Sequence, residues 1–378
     1  MACRRQESKD VTEVEFYMPT HLFTGPDCLG TNGAQIAGLG KRCLLVTGGT
    51  AAVRSGALAD VTAVLEEQGI AYTGFDQVRP NPTLASCQEA GRLAHRFEAD
   101  FVVGIGGGSA LDAAKAASVF AANPEFTEAD FYKAAWPEKP LPIVLVGTTA
   151  GTGSEVTSVA VLTDSAGRKH SIHDPRLYAA LAFGDPRHTM SLPKHVTLST
   201  GIDAVAHCVE SAFSRKADRL SRLFSVQGIR LACEVLREAT REKPLSLVQR
   251  AQLYDASIFG GLAINRTGTV FPHNVGYFLT EHYGIPHGFA CGCLMPDLLD
   301  HMKTAAPDRA ESLYREAGIT EEALRELVED CVPPLAVSAS EEEILKALPR
   351  WRNNGSVQNT IGSVGEEQIA EILRKHLL

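Results

Sequence analysis

Between residues 42 and 149 the chain alternates two hydrophobic patterns. "RCLLVTGG" is a short apolar run that stops in glycines. "SGALADVTAVLEEQG" spaces its apolar residues three or four apart and ends on glycine. "IAYTGFD" then reads as a strand and "LASCQEAGRLAHRFEA" as a helix. The cycle repeats through the strand "DFVVGIGGG", the helix "SALDAAKAASVF" and the strand "PIVLVGTT". Buried runs alternating with helical periodicity predict a doubly wound, mostly parallel, Rossmann-like α/β sheet covered on both faces. The ligand crevice of such a sheet lies at the carboxyl ends of its strands.

From about residue 190 the pattern changes. "LSRLFSVQGIRLACEVLREA", "SLVQRAQLYDASIFGGLAI", "EEALRELVED" and "EEQIAEILRKHL" all carry helical spacing, and no convincing strand follows. At 378 residues the chain exceeds one ordinary core. The spacing predicts an α/β domain over 1–190 and an all-helical domain over 191–378. The proline-bearing segment 185–195 marks the boundary.

Composition narrows the function classes. The net charge of −9 and the absence of a lysine-arginine block argue against a nucleic-acid partner. No apolar stretch reaches the roughly 18–20 residues that span a bilayer, so no membrane role is expected. The first sixteen residues lack a hydrophobic signal core and read as a frayed arm. Nine scattered cysteines without a spaced framework predict reduced thiols in a cytoplasmic setting. Cys291 and Cys293 read as small buried hydrophobes, because no second pair completes a thiolate site.

Two turns carry candidate cofactor chemistry. In 100–116 the glycines Gly106, Gly107 and Gly108 lie between a strand and the helix opening at Ser109. Backbone amides at a helix start, free of Cβ atoms, suit a pyrophosphate. The dinucleotide fingerprint G-x-G-x-x-G is not met, since Ser109 stands three after Gly106, and an ordinary glycine turn is the structural alternative. Asp112 and Lys115 fit a surface position equally well. "VGTTAGTGSEVT" (146–157) offers further hydroxyls and amides at the next strand end, or a loop bonded to itself.

Helix "TGIDAVAHCVE" (200–210) brings in a second chemistry. At 100° per residue Asp203, His207 and Glu210 fall within about 60° of one another, and a carboxylate and an imidazole one turn apart make a bidentate metal clamp. A capping box, Thr200-x-x-Asp203, and a satisfied core histidine are the alternatives. The stretch 269–296 adds His273 and, in a Pro-His-Gly turn, His287. One carboxylate with three imidazoles suits Fe(II) or Zn(II) and is too nitrogen-rich for magnesium or calcium.

With these stretches in their order ("GIGGGSALDAAKA", "TTAGTGSEVT", "TGIDAVAHCVE" and the segment from His273 to "PHG") the chain resembles the iron-containing (group III) alcohol dehydrogenases. Weaker matches are "VRPNPT", "GRKHSI" and "FGDPRHTMSLP", and together they cover roughly residues 15–300. The resemblance implies Asp203, His207, His273 and His287 as ligands of the catalytic metal, iron or zinc. It implies pyrophosphate on Gly106, Gly107, Gly108 and Ser109 with Asp112 in the same helix. Nicotinamide or ribose contacts would come from Thr148, Thr149, Thr152 and Ser154, with Asn81 and Lys169 lining the cleft. The implied activity is hydride transfer between a small alcohol or aldehyde and NAD(P), in a homodimer or higher homo-oligomer.

Two positions depart from the family pattern. Many members carry a histidine four residues after the ligand corresponding to His273; here Tyr277 stands there, and a phenol with a pKa near 10 is a poor proton relay. Tyr277 still borders the substrate if the segment is helical, and His282 or a hydroxyl–water chain is the substitute relay. NAD-preferring relatives often end the first strand on aspartate, whereas this chain has Gly48. Losing that carboxylate favours NADP(H), with amides and a hydroxyl from Gly49, Thr50 and Ala51 facing a 2′-phosphate and Arg54 assisting. The rival readings are a dehydroquinate-synthase-like or glycerol-1-phosphate-dehydrogenase-like enzyme, for which 260–295 offers only Arg266 as a basic residue, and a non-enzymatic nucleotide-binding protein.

Overall fold

A computed structural model describes residues 13–241 and 243–378. The arm before Glu13 lies outside the described residues. Eight strands are named: β1 His21–Thr24, β2 Arg42–Thr47, β3 Ala71–Phe75, β4 Phe101–Gly106, β5 Ile143–Gly147, β6 Val159–Thr163, β7 Lys169–His173 and β8 Leu181–Gly184. Six form one sheet in the order β1-β8-β5-β4-β2-β3, with every neighbouring pair parallel. β2, β4 and β5 are buried along almost their whole length, as the apolar runs require when helices cover both faces. The four strands expected from sequence are all present. β1 and β8 are short additions at one edge, and β6 and β7 pair as a separate antiparallel hairpin.

From β2 the chain adds β3 on one side and then crosses to place β4 on the other. Ligand crevices of open parallel sheets form at such reversals. The register pairs Thr47 with Ile105 and Gly106 with Gly147. The turns following β2, β4 and β5 therefore leave the sheet in a row.

After Asp185 the described residues contain no named strand. A 3-10 turn, Pro186–Thr189, leads to helix Lys194–Ala212, whose residues from Thr197 to Ala212 are buried apart from Thr200. It packs against helices Arg219–Ala239, Leu247–Thr267 and His287–Gly292, which makes it the axis of the helical half. A helix buried all round and still carrying Asp203, His207 and Glu210 must give each polar group a partner. No helix among the described residues is long and apolar enough to cross a membrane.

The hairpin bridges the halves. Thr163 of β6 donates its hydroxyl to the Asn81 carbonyl at 3.1 Å. Lys169 of β7 donates its backbone N–H to Glu281 Oε1, 2.7 Å away on helix Phe271–Tyr283. Glu281 is held in turn by Arg350 at 2.7 Å.

Candidate metal and cofactor site

Helix Lys194–Ala212 begins six residues before Thr200, so Asp203 is not a capping residue. Its carboxylate points instead into a buried group. Asp203 Oδ1 lies 3.4 Å from His273 Nε2, 3.7 Å from His287 Nε2 and 4.0 Å from His207 Nε2. The His207 and His273 rings stack with centroids 4.5 Å apart. Asp203 and His273 are each 2% exposed, and both Asp203 Oδ1 and His273 Nε2 lack a hydrogen-bond partner. Two unpaired polar atoms facing each other in a core are costly unless something sits between them, and a divalent cation meets that need. The donor set fits the ion expected from sequence.

The far sides of two rings are fixed. His273 Nδ1 is 2.5 Å from Glu210 Oε1, and His207 Nδ1 is 3.2 Å from the Gly151 carbonyl. A proton on each Nδ1 leaves Nε2 as the inward atom, the usual way a protein sets the tautomer of a ligating histidine. Glu210, whose role sequence reasoning did not assign, also accepts the Val270 N–H at 2.8 Å and so holds the start of the His273 helix. Burial opposes ionisation of Asp203, but His207, His287 and His273 outweigh it and hold its carboxyl well below the usual range. Burial lowers His207 to about 4 despite Asp203. Burial and the Lys169 ammonium push His287 well below an ordinary imidazole. Both rings are thus neutral near pH 7, with lone pairs free.

Cys291 changes the sequence reading. It is fully buried, as expected of a small hydrophobe, but its Sγ lies 3.6 Å from His287 Nδ1 and 3.8 Å from Nε2. Donor atoms of Asp203, His273, His287 and Cys291 all fall within 4.8 Å of one another. The overlooked signal was the i, i+4 spacing of His287 and Cys291, the same spacing that singled out Asp203 and His207. Cys293 turns away and donates to the Ala290 carbonyl at 3.4 Å.

Tyr277 borders the group. Its ring centroid is 5.5 Å from that of His287, and Lys169 Nζ lies 4.7 Å over its face. Lys169 is thereby brought beside the buried aspartate and histidine group as well as the cleft. His282 is placed elsewhere, which corrects the expectation that it substitutes as a relay. Nine residues beyond His273, it falls on the opposite side of the helix, exposed, with its ring 4.3 Å from that of Phe278.

At the strand ends, the helix Gly108–Ala122 opens behind Gly107 with no side-chain cap. Gly106 has φ +153°, and a Cβ at Gly108 would meet Thr152 Cγ2 at 2.6 Å. A Cβ at Gly107 would lie 3.1 Å from Thr149 Cγ2, so the two glycine and threonine turns touch. Thr148 Oγ1 is buried without a partner. A narrow polar cradle that side chains would fill suits a pyrophosphate. Ser109 sits in the first turn of that helix, half-buried.

Asp112, Lys115 and Ser154 are less open. Ser154 donates its hydroxyl to Asp112 Oδ1 at 2.8 Å, and Asp112 Oδ2 accepts from the Val161 N–H at 2.9 Å. Lys115, which sequence could not distinguish from a surface residue, is fully buried and donates to the carbonyls of Ser154, Thr157 and Val159 at 2.7–2.9 Å. These residues hold the 148–161 loop in shape. After β2, Gly48 lies against residue 78, where a Cβ would come within 2.5 Å of the Val78 carbonyl oxygen. Gly49 (φ +52°) and Thr50 are exposed beyond it. Asn81 holds a left-handed backbone at φ +57° where the β3 loop meets the hairpin.

Comparison with known proteins agrees with this architecture. Residues 19–186 match the model of the iron-containing alcohol dehydrogenases, and 197–349 match the C-terminal model of the same family. The chain is 33% identical over 303 residues to 1,3-propanediol dehydrogenase of Klebsiella pneumoniae, covering 78% of this chain and 77% of that one. It superposes on an iron-containing alcohol dehydrogenase of Thermotoga maritima with a TM-score of 0.88, at 36% identity over 96% of this chain and 99% of that one. It also superposes on the NAD+ complex of sulfoacetaldehyde reductase from Bifidobacterium kashiwanohense, with a TM-score of 0.86 at 26% identity, covering 97% and 99%. The match decides against the sugar-phosphate and non-enzymatic rivals. The chain belongs to the iron-containing alcohol dehydrogenase family and is an NAD(P)-dependent oxidoreductase of the alcohol dehydrogenase type.

Proposed function

We propose that the protein interconverts a small alcohol and its aldehyde, with iron or zinc held among Asp203, His207, His273 and His287 and with NADP(H) preferred over NAD(H). The observation that carries the metal reading is the pair of buried, unpartnered atoms Asp203 Oδ1 and His273 Nε2, 3.4 Å apart, with His287 Nε2 close by. Bound there, a divalent ion supplies Lewis acidity toward an alcohol or carbonyl oxygen, while the nicotinamide carries the hydride. Glu210 and the Gly151 carbonyl hold two rings in the ligating tautomer. Tyr277 and Lys169 wall the site on the hairpin side and limit water there. Gly106 to Ser109, with Thr148, Thr149 and Thr152, seat the phosphates and the adjoining sugar, and Asn81 lies at the cleft edge. Asp112 and Ser154 serve the cofactor by shaping this loop.

The preference for NADP(H) rests on the turn after β2. An acidic side chain at Gly48 has no room beside the Val78 carbonyl, so that position itself brings no charge against a 2′-phosphate. The exposed turn at Gly49, Thr50 and Ala51, with Arg54 nearby, offers amides and charge. A homodimer or higher homo-oligomer and a cytoplasmic setting complete the proposal, the latter supported by eight free cysteines among the described residues.

Steady-state turnover of a panel of short alcohols and aldehydes, followed by nicotinamide absorbance with each cofactor, tests this reading. The expected result is a kcat/KM for NADP(H) at least tenfold that for NAD(H). Equal or reversed values would overturn the preference, and no turnover with either cofactor would overturn the function.

A further inference from the structure

We infer that Cys291 is a thiolate ligand of the metal centre, an addition to the carboxylate and imidazole set. The inference rests on the metal reading above. Helix His287–Gly292 carries His287 and Cys291 one turn apart, so both side chains leave the same face toward Asp203. Gly288 allows this, because a Cβ there would collide with the Ser199 carbonyl and push the helix off Lys194–Ala212.

The spacing is that of a coordination shell. Metal–ligand bonds of about 2.0–2.3 Å set neighbouring donor atoms of one coordination shell roughly 3–4 Å apart. Asp203 Oδ1 stands 3.4 Å from His273 Nε2 and 3.7 Å from His287 Nε2, and Cys291 Sγ stands 3.8 Å from His287 Nε2. These four atoms form one cluster within 4.8 Å, while His207 Nε2 is set slightly back at 4.0 Å from Asp203. The two orphaned buried atoms, Asp203 Oδ1 and His273 Nε2, face into this cluster, so the thiol does not stand alone as the sign of a site.

A coordinating thiol gives up its proton to solvent, since a bound cation deprotonates it outright. One thiolate with one carboxylate balances a divalent charge. The softer donor then favours Zn(II) or Co(II) over harder oxygen-seeking ions.

Cobalt(II) reconstitution of the metal-stripped full-length protein tests the inference, because thiolate–cobalt bonding gives an intense near-ultraviolet charge-transfer band. The expected result is one bound cobalt per chain with that band, lost in Cys291→Ser and kept in Cys293→Ser. X-ray absorption of the zinc-loaded wild type provides a readout that needs no variant, and should show one sulfur at about 2.3 Å. Cobalt bound with no charge-transfer band, or a band that survives Cys291→Ser, would overturn the thiolate ligand and leave the metal reading intact. Failure to bind cobalt or zinc would overturn both.

Discussion

Glu210 Oε1 stands 2.5 Å from His273 Nδ1, buried, at the point where two helices of the helical half meet. The other carboxylate oxygen takes the Val270 N–H, so one side chain sets both the tautomer of a ligand and the start of the helix that carries it. Glu210→Gln keeps the shape and loses the charge. Metal affinity should fall by about 10–100-fold, the usual cost of losing a partner behind a ligating histidine. Chelator competition measures it. An unchanged dissociation constant would mean that Glu210 serves only the helix.

Gly288 is the hinge of close packing beside His287. A methyl group there would run into the Ser199 carbonyl, so Gly288→Ala must move helix His287–Gly292 outward. Overpacking of this kind costs about 1–3 kcal/mol, and it displaces two side chains of the group at once. The expected outcome is a lowered thermal midpoint with metal stoichiometry reduced well below one per chain. A variant of normal metal content would show that the helix has slack.

Asp185 follows β8 and ties the end of that strand to the turn after β1. Fully buried, it accepts from Arg187 Nε at 2.8 Å and from the backbone N–H of Asp27 at 2.8 Å. Asp60 and His188 approach it closely enough to suggest a second metal group, but Arg187 occupies the space among these carboxylates. Burial would raise the Asp185 pKa, yet bonds from Arg187 and Asp27 hold it below the ordinary aspartate value. A depressed pKa contributes stability that is complete above the unfolded value of about 3.9 and drains away as pH falls through the folded one. Asp185→Asn should cost about 1–3 kcal/mol at pH 7, given the part-exposed arginine. Urea midpoints of the two proteins should stay apart above about pH 4 and converge only as pH falls below it, toward the folded pKa. A gap that stays constant with pH would assign the loss to packing.

Much of this was legible in the chain because the two periodicities are local. Continuous runs such as Cys43–Val46 need two covered faces, and the parallel sheet supplied them. The buried Asp203–His207 cluster was legible because a carboxylate and an imidazole shared a helix face. The short strands β1 and β8 were not, since four residues at a sheet edge carry almost no periodic signal. Lys115 looked like any helix lysine until the 148–161 loop folded over it, and no sequence pattern announces three carbonyls converging from another segment. Cys291 is the small buried residue that the sequence suggests, but counting cysteines as pairs gave no sign of the imidazole one turn away. His282 was offered as a stand-in for the histidine that Tyr277 replaces, and helix geometry turned it outward.

The central claim is that Asp203, His207, His273 and His287 hold one catalytic ion beside a nicotinamide. The most direct test is anaerobic removal of metal followed by titration with Fe(II) or Zn(II), reading bound metal and alcohol-dependent cofactor reduction on the same samples, with His287→Ala in parallel. Activity should rise in proportion to occupancy and level off at one ion per chain. His287→Ala should bind cofactor but neither retain metal nor turn over. Full activity in the metal-free protein, or in His287→Ala, would contradict the account.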